Sequence, residues 1–222
     1  MQSEFFTGEG QVRQLLRNFD WTSSSIGPPD KWAPELHTLM DLILQVKYPA
    51  VVLWGDDHSY WYNDAYIYLL GQRHPAALGR PFRDVWPELW PETGPVIEAA
   101  MAGIPAYFEN IPFTISPNGV MEQRYFTLSF SPVRDRSGKV LGMFNAGFET
   151  TARVADERRV AFELALSDRF RSLSTPDEIV GEASEMLGQQ LGVSRVLYAE
   201  IDDANGSFFV RRDWNAPGIQ SL

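Results

Sequence analysis

The sequence predicts an α+β fold whose centre is a five-stranded antiparallel sheet within residues 50–150. Two short apolar runs flank the turn Gly55-Asp56-Asp57-His58, and they are the first two predicted strands. A proline-punctuated region follows, and three longer strand-like segments come after it. Consecutive strands joined by tight turns pair antiparallel, and helices between them pack on the sheet.

Two helices are predicted before the sheet. Apolar residues recur at helical spacing in Gln11–Phe19, and again between Leu36 and Leu44. A Ser-, Gly- and Pro-rich breaker at residues 22–29 separates the two segments, and Pro49 ends the second. These helices are expected to cover one face of the sheet as an N-terminal helical cap.

Within the sheet region, the strand candidates begin with Ala50–Trp54 and Ser59–Tyr62. Asn63 is predicted to cap a short helix that Gly71 ends, because Asn and Gly favour these two positions. A further helix is predicted from about Gly94 to Ala102.

Three longer strands are predicted at residues 104–115, 123–133 and 139–149. The middle one alternates, with Phe126, Leu128 and Phe130 on one face. The last has apolar residues on both faces. This pattern indicates a strand covered by helices on each side.

Beyond the sheet, the pattern changes to a long polar helix predicted from Thr150 to Leu173, with a narrow apolar stripe. A second helix is predicted to start at Thr175-Pro176-Asp177-Glu178, since Thr caps, Pro suits the first turn and Glu completes a capping box. Two strands around Asn205-Gly206 predict a β-hairpin.

Composition excludes several classes of function. A net charge of −10 disfavours binding to nucleic acids and to anionic membranes. The chain has no Cys, so disulfides, thiolate nucleophiles and Cys-based zinc sites are excluded. With neither a signal-peptide pattern nor an apolar run of about 20 residues, we expect a soluble, cytoplasmic protein.

No residue pattern predicts an enzyme or a metal site. Adjacent side chains of Asp56-Asp57-His58 point apart, which favours a surface turn over a set of metal ligands. Glu88, Glu92 and Glu98 are interpreted as solvated charges. We therefore predict no catalytic residues and no metal ligands.

Several short motifs resemble the N-terminal PAS module of bacterial sensor histidine kinases. They are Asp20-Trp21-Thr22, Ile26-Gly27-Pro28-Pro29, Leu53-Trp54-Gly55, Tyr62-Asn63-Asp64-Ala65-Tyr66, Gly79-Arg80-Pro81 and Phe130-Ser131-Pro132-Val133-Arg134-Asp135. Glu149-Thr150-Thr151 lies where that family has an Asp-x-Thr that ends the last strand and starts the output helix. Residues 191–202 resemble the opening of a GAF domain, and the pairing is similar to kinases of the HWE group.

The resemblance implies a helical cap at 1–47, a PAS sensor domain at 48–150, a signalling linker helix at 151–173 and the truncated start of a GAF domain at 174–222. It implies the sensory input region of a two-component histidine kinase. The kinase's catalytic domain is not matched, so its phosphotransfer is not carried over to this chain. The alternative is a ligand-free PAS dimerisation or protein-interaction module.

A pocket behind the sheet is also implied by the PAS arrangement. Its candidate ligand-binding residues are Trp54, Asn63, Tyr66, Trp86, Met101, Phe126, Leu128 and Phe144. A filled core without a ligand explains the same aromatic residues equally well.

Two further sets of residues follow from the resemblance. Glu149, Thr150 and Thr151 are expected to relay the signal, and Phe162, Leu166 and Phe170 to pair two linker helices in a homodimer. The cofactor, if any, is unknown. Residues 94–102 contain no His of the kind that haem-binding PAS domains use, and a cysteinyl flavin needs a Cys.

Overall fold

The computed structural model describes residues 5–117, 119–202 and 204–220. The chain divides into two compact units, Met1–Ala152 and Arg153–Leu222. The helices of the first unit are α1 (Gln11–Arg17), α2 (Pro34–Gln45), α3 (Ile67–Leu70), α4 (Phe82–Val85) and α5 (Trp90–Met101). Its strands are β1 (Ala50–Trp54), β2 (Ser59–Tyr62), β3 (Ala106–Ile115), β4 (Glu122–Arg134) and β5 (Val140–Glu149).

The five strands form one antiparallel sheet in the order β2-β1-β5-β4-β3. This confirms the predicted fold class. Both faces of β1 are buried, with Val52 fully buried and Val51 and Leu53 nearly so. On the sheet, α2 packs against β1 and β2, whereas α5 packs against β4 and β5.

Aromatic packing and a long-range helix cap join the N-terminal segment to the sheet. Trp21 stacks on Phe6 at a centroid distance of 5.7 Å and on Trp61 of β2 at 5.3 Å. The Asp64 carboxylate accepts the backbone N–H groups of Gln11 and Val12 at 3.1 and 2.8 Å. These are the first N–H groups of α1, which have no acceptor within the helix.

Two details of the predicted helices were wrong. Asn63 does not cap the following turn with its side chain. The helix predicted from Gly94 begins four residues earlier, at Trp90. Pro91 near its start explains the difference, because proline suits the first turn, where an N–H has no helical acceptor.

In the second unit, α6 (Thr151–Phe170, which begins at the end of the first unit) leads to α7 (Pro176–Leu191). Strands β6 (Arg195–Asp202) and β7 (Ser207–Asn215) form an antiparallel hairpin that packs on α7. The predicted capping box is present: Glu178 N–H donates to Thr175 Oγ1 at 3.3 Å, and Thr175 N–H donates to Glu178 Oε2 at 3.0 Å.

No helix in the described part of the chain has both the length and the apolar character needed to cross a bilayer. Within those same ranges, no cluster of His, Asp and Glu side chains is arranged to hold a metal ion.

Candidate functional site

A cavity lies between the sheet and the segment that contains α3, α4 and α5. Its volume is about 60 Å³. The sheet contributes mainly apolar side chains: Val51, Leu53, Tyr60, Phe113, Ile115, Phe126, Leu128, Phe130, Met143 and Asn145. The opposite wall is formed by Tyr66, Leu69, Phe82, Trp86, Leu89, Thr93 and Ile97, and Pro49, Gly147, Phe148 and Glu149 line the end near α6.

Half of the predicted pocket residues line this cavity. Tyr66, Trp86, Phe126 and Leu128 do so. The other four, which are Trp54, Asn63, Met101 and Phe144, do not. The first group combines two aromatic residues of the helical segment with two residues of the inward face of β4.

Strand alternation places Trp54 and Phe144 on the wrong face for the cavity. Their neighbours Leu53 and Met143 line it, and successive strand residues point to opposite faces. Trp54 instead packs across the strand pair on Gly142, where an added Cβ would overlap its ring.

Asn63 has a structural role at the start of the sheet. Its Nδ2 donates to the carbonyl oxygens of Val46 at 3.0 Å and Tyr48 at 2.8 Å, and its Oδ1 accepts the N–H of Ala50 at 3.1 Å. The side chain is 1% exposed. It therefore holds the backbone between α2 and β1 in place and has no free group for a ligand.

Three polar residues of the cavity are not among the predicted site residues. Tyr60, Thr93 and Asn145 line it together with apolar residues. The alternation of β2 and β5 could have identified Tyr60 and Asn145 once one cavity residue on each strand was known. Because apolar residues occur on both faces of β5, its sequence did not show which face points to the cavity.

Glu149 lies where the cavity approaches the end of the sheet. Glu149 lines the cavity, and its Oε2 lies 3.4 Å from Arg124 Nη1. Arg124 also pairs with Glu122 at 2.7 Å. Burial, and then the charge of Glu149, raise the pKa of the Tyr68 hydroxyl. The Glu149 carboxylate is therefore paired with β4.

Thr150 and Thr151 fasten the start of α6 to β4. The backbone N–H of Thr150 donates to the Tyr125 carbonyl at 2.7 Å, and Tyr125 N–H donates to Thr151 Oγ1 at 2.9 Å. Thr150 is 3% exposed, and its Oγ1 is buried without a hydrogen-bond partner among the described residues. The junction therefore contains one satisfied and one unsatisfied hydroxyl.

Replacing Thr150 by valine is expected to raise the free energy of unfolding by about 1 kcal/mol, because the isosteric methyl removes a buried hydroxyl that lacks a partner. Urea unfolding followed by tryptophan fluorescence measures this change. Thr151→Val is the matched control and should lose about 1 kcal/mol, since its hydroxyl accepts a hydrogen bond. Equal losses in both variants would show that the Thr150 hydroxyl is paired.

The residues predicted to form a dimer interface lie on α6 in the second unit. Phe162 lines an open groove between α6 and α7 that Met186 also lines. Leu166 and Phe170 are half-buried. The large apolar side chains of α6 that are exposed are Val160 and Leu164, at 47% and 63%.

Residues 49–155 match the sequence model of the family described as PAS fold. Together with the five-stranded antiparallel sheet and its flanking helices, this match identifies that part of the chain as a PAS domain. No curated protein matches the chain.

Several solved structures are similar to the chain. The PAS domain of Bordetella pertussis BvgS is 20% identical, with a TM-score of 0.45, over 61% of this chain and 99% of that one. A sensory box sensor histidine kinase from Vibrio cholerae is 14% identical, with a TM-score of 0.37, over 50% of this chain and 89% of that one. An RNA-binding light-oxygen-voltage receptor is 17% identical, with a TM-score of 0.45, over 68% of this chain but only 43% of that one.

Proposed function

We propose that this chain is a sensory input region, in which the state of the PAS cavity is transmitted through α6 to an output. One observation carries this proposal. Glu149 lines the cavity and ends β5, and α6 begins at Thr151 with a single residue between them. Any movement of the cavity wall at Glu149 therefore acts on the first turn of the helix.

The output that we propose is a two-component histidine kinase. The Glu149-Thr150-Thr151 junction and the flanking motifs that resemble such kinases support this proposal. In it, residues 1–47 are the helical cap, 48–150 the sensor domain, 151–173 the signalling linker and 174–222 the start of a GAF domain. A cytoplasmic homodimer that pairs through α6 belongs to the same proposal.

A ligand can drive such a device only through different affinities for two states of the helix. Converting a 1:99 population into 99:1 needs about 5.5 kcal/mol of differential binding. If the first turn of α6 moves, the hydrogen bonds of Thr150 and Thr151 to Tyr125 break or change. The two states of the helix would therefore differ in these contacts.

The size of the cavity favours a second candidate function. Its volume is about 60 Å³, whereas an apolar cavity of about 150 Å³ is known to bind benzene. Without movement of its walls, the cavity admits only a very small molecule. A PAS domain with a filled core would act as a dimerisation or protein-interaction module.

Filling the cavity tests the transmission directly. In the variant Leu128→Phe the larger side chain occupies the cavity. We expect the rate of amide hydrogen exchange at residues 155–158 of α6 to change about tenfold. This corresponds to a change of about 1.4 kcal/mol in the free energy of opening. These amides donate to the carbonyls of the first turn, so their protection reports whether that turn is formed. Adding Arg124→Gln, which removes the cation beside Glu149, should reduce the response.

Ser131→Thr is the control, since Ser131 lies on the opposite face of the same strand. Exchange at 155–158 should not change in this variant. If Leu128→Phe shifts the methyl resonances of the cavity but leaves exchange in α6 unchanged, transmission from the cavity is contradicted and the interaction module is favoured. Native mass spectrometry of the same samples shows the subunit number and any retained small molecule.

A further inference from the structure

One end of the PAS cavity has more hydrogen-bond donors than acceptors. Trp86 Nε1 donates to Tyr60 Oη at 3.3 Å, and the Tyr66 ring lies edge-on to the Tyr60 ring at a centroid distance of 5.8 Å. Each phenol supplies one proton. The O–H of Tyr66 makes no hydrogen bond to any of the described residues, so this donor is available to a ligand.

Arg73 lies beside Trp86 but does not itself line the cavity. Its Cζ lies 4.2 Å from the centre of the Trp86 ring, and its Nη2 pairs with Glu88. Its Nη1 is buried and has no hydrogen-bond partner in the described part of the chain. A buried donor without a partner is unfavourable, so the surroundings of Trp86 have more donors than acceptors.

Among the described residues that line the cavity, Glu149 is the one with a charged side chain, and Arg124 pairs with it at 3.4 Å. Beside Trp86, Arg73 pairs with Glu88. The remaining walls are mainly apolar. An ion that entered would lose its hydration without meeting a free counter-charge, which is strongly unfavourable.

We infer, building on the proposed sensory function, that the cavity takes a small neutral molecule with an apolar body and one carbonyl-type oxygen, which accepts the O–H of Tyr66. The volume of about 60 Å³ restricts this ligand to a short-chain ketone or aldehyde unless the walls move. The apolar body contacts Leu128, Phe130 and Met143.

The protonation states of the two phenols agree with this role. Burial, and then the neighbouring Tyr66, raise the pKa of Tyr60 well above its ordinary value. Burial raises the pKa of Tyr66 to about 12. Both hydroxyls therefore keep their protons at neutral pH and remain donors.

Three probes of matched shape test the inference: 2-butanone, its alkene analogue 2-methyl-1-butene and its anionic analogue propionate. Binding to the full chain is followed through the methyl resonance of Met143, which is 1% exposed and lines the cavity. We expect 2-butanone to bind about tenfold more tightly than either analogue, because only it combines neutrality with an oxygen acceptor.

Tyr66→Phe should remove the preference for the ketone over the alkene, whereas Tyr48→Phe, at a residue that is 67% exposed, should retain it. Four outcomes would overturn the inferred ligand class. They are equal affinities for the three probes, tightest binding of propionate, a ketone preference that survives Tyr66→Phe, and no binding of any probe. The response of α6 to Leu128→Phe needs no ligand, so it decides the proposed function independently of these outcomes.

Discussion

Replacing Trp21 by alanine is expected to lower the free energy of unfolding of the PAS-containing unit by about 3–5 kcal/mol, the usual loss for a large buried aromatic. Trp21 is 2% exposed and lies between Phe6 and Trp61, with interplanar angles of 8° and 20°. Its Nε1 also donates to the Leu16 carbonyl at 3.2 Å. The alanine variant loses these stacking contacts and leaves that carbonyl without its side-chain donor.

Urea unfolding followed by tryptophan fluorescence measures the loss, since six of the seven tryptophans lie in this unit. Tyr107→Ala is the control: Tyr107 is 61% exposed, and its removal should change stability by less than about 0.5 kcal/mol. A loss below about 1 kcal/mol in Trp21→Ala would contradict the view that the N-terminal segment folds together with the sheet.

That view affects how the sensor domain is delimited. The predicted domain division places a boundary near residue 48, yet Trp21 stacks on a strand residue and Asp64 caps α1. A fragment that began at residue 48 would expose Trp61, which is fully buried in the intact unit. Residues 5–45 are therefore better treated as part of the folding unit than as a separate appendage.

Local patterns predicted the strands well because strand alternation and turn residues are local signals. The predicted β1 and β2 have the bounds seen in the structure, and the alternation of β4 correctly brought Phe126 and Leu128 to the cavity. Trp54 was selected for its aromatic character rather than its register. A difference of one residue along a strand decides which face a side chain occupies.

Contacts between distant parts of the chain could not be predicted in this way. Asn63 appeared as a helix cap, whereas its amide binds backbone groups 13 to 17 residues earlier in the chain. Asp64 caps a helix more than 50 residues away. The unpaired Nη1 of Arg73 depends likewise on tertiary packing. A local pattern gives the residue type at such positions but not the partner.

The second large effect is expected at Gly71, where alanine should lower the free energy of unfolding by more than about 2 kcal/mol. Gly71 has a φ of 53°, which disfavours any residue with a Cβ. A Cβ at this position would also overlap the Pro117 carbonyl, which accepts the N–H of Gln72 at 3.2 Å. The close approach therefore holds the β3–β4 loop against the end of α3.

Gly138→Ala separates these two causes. Gly138 has a φ of 88°, and a Cβ there would have no neighbour within 4 Å, so alanine should cost only the conformational term of about 1 kcal/mol. The excess loss of stability in Gly71→Ala then measures the contact with Pro117, and faster amide exchange at Gln72 should accompany it. This contact lies between Leu69 and Ile115, which both line the cavity. Loss of the contact should therefore also weaken the cavity wall. Equal losses in the two variants, with unchanged exchange at Gln72, would show that the loop does not depend on this contact.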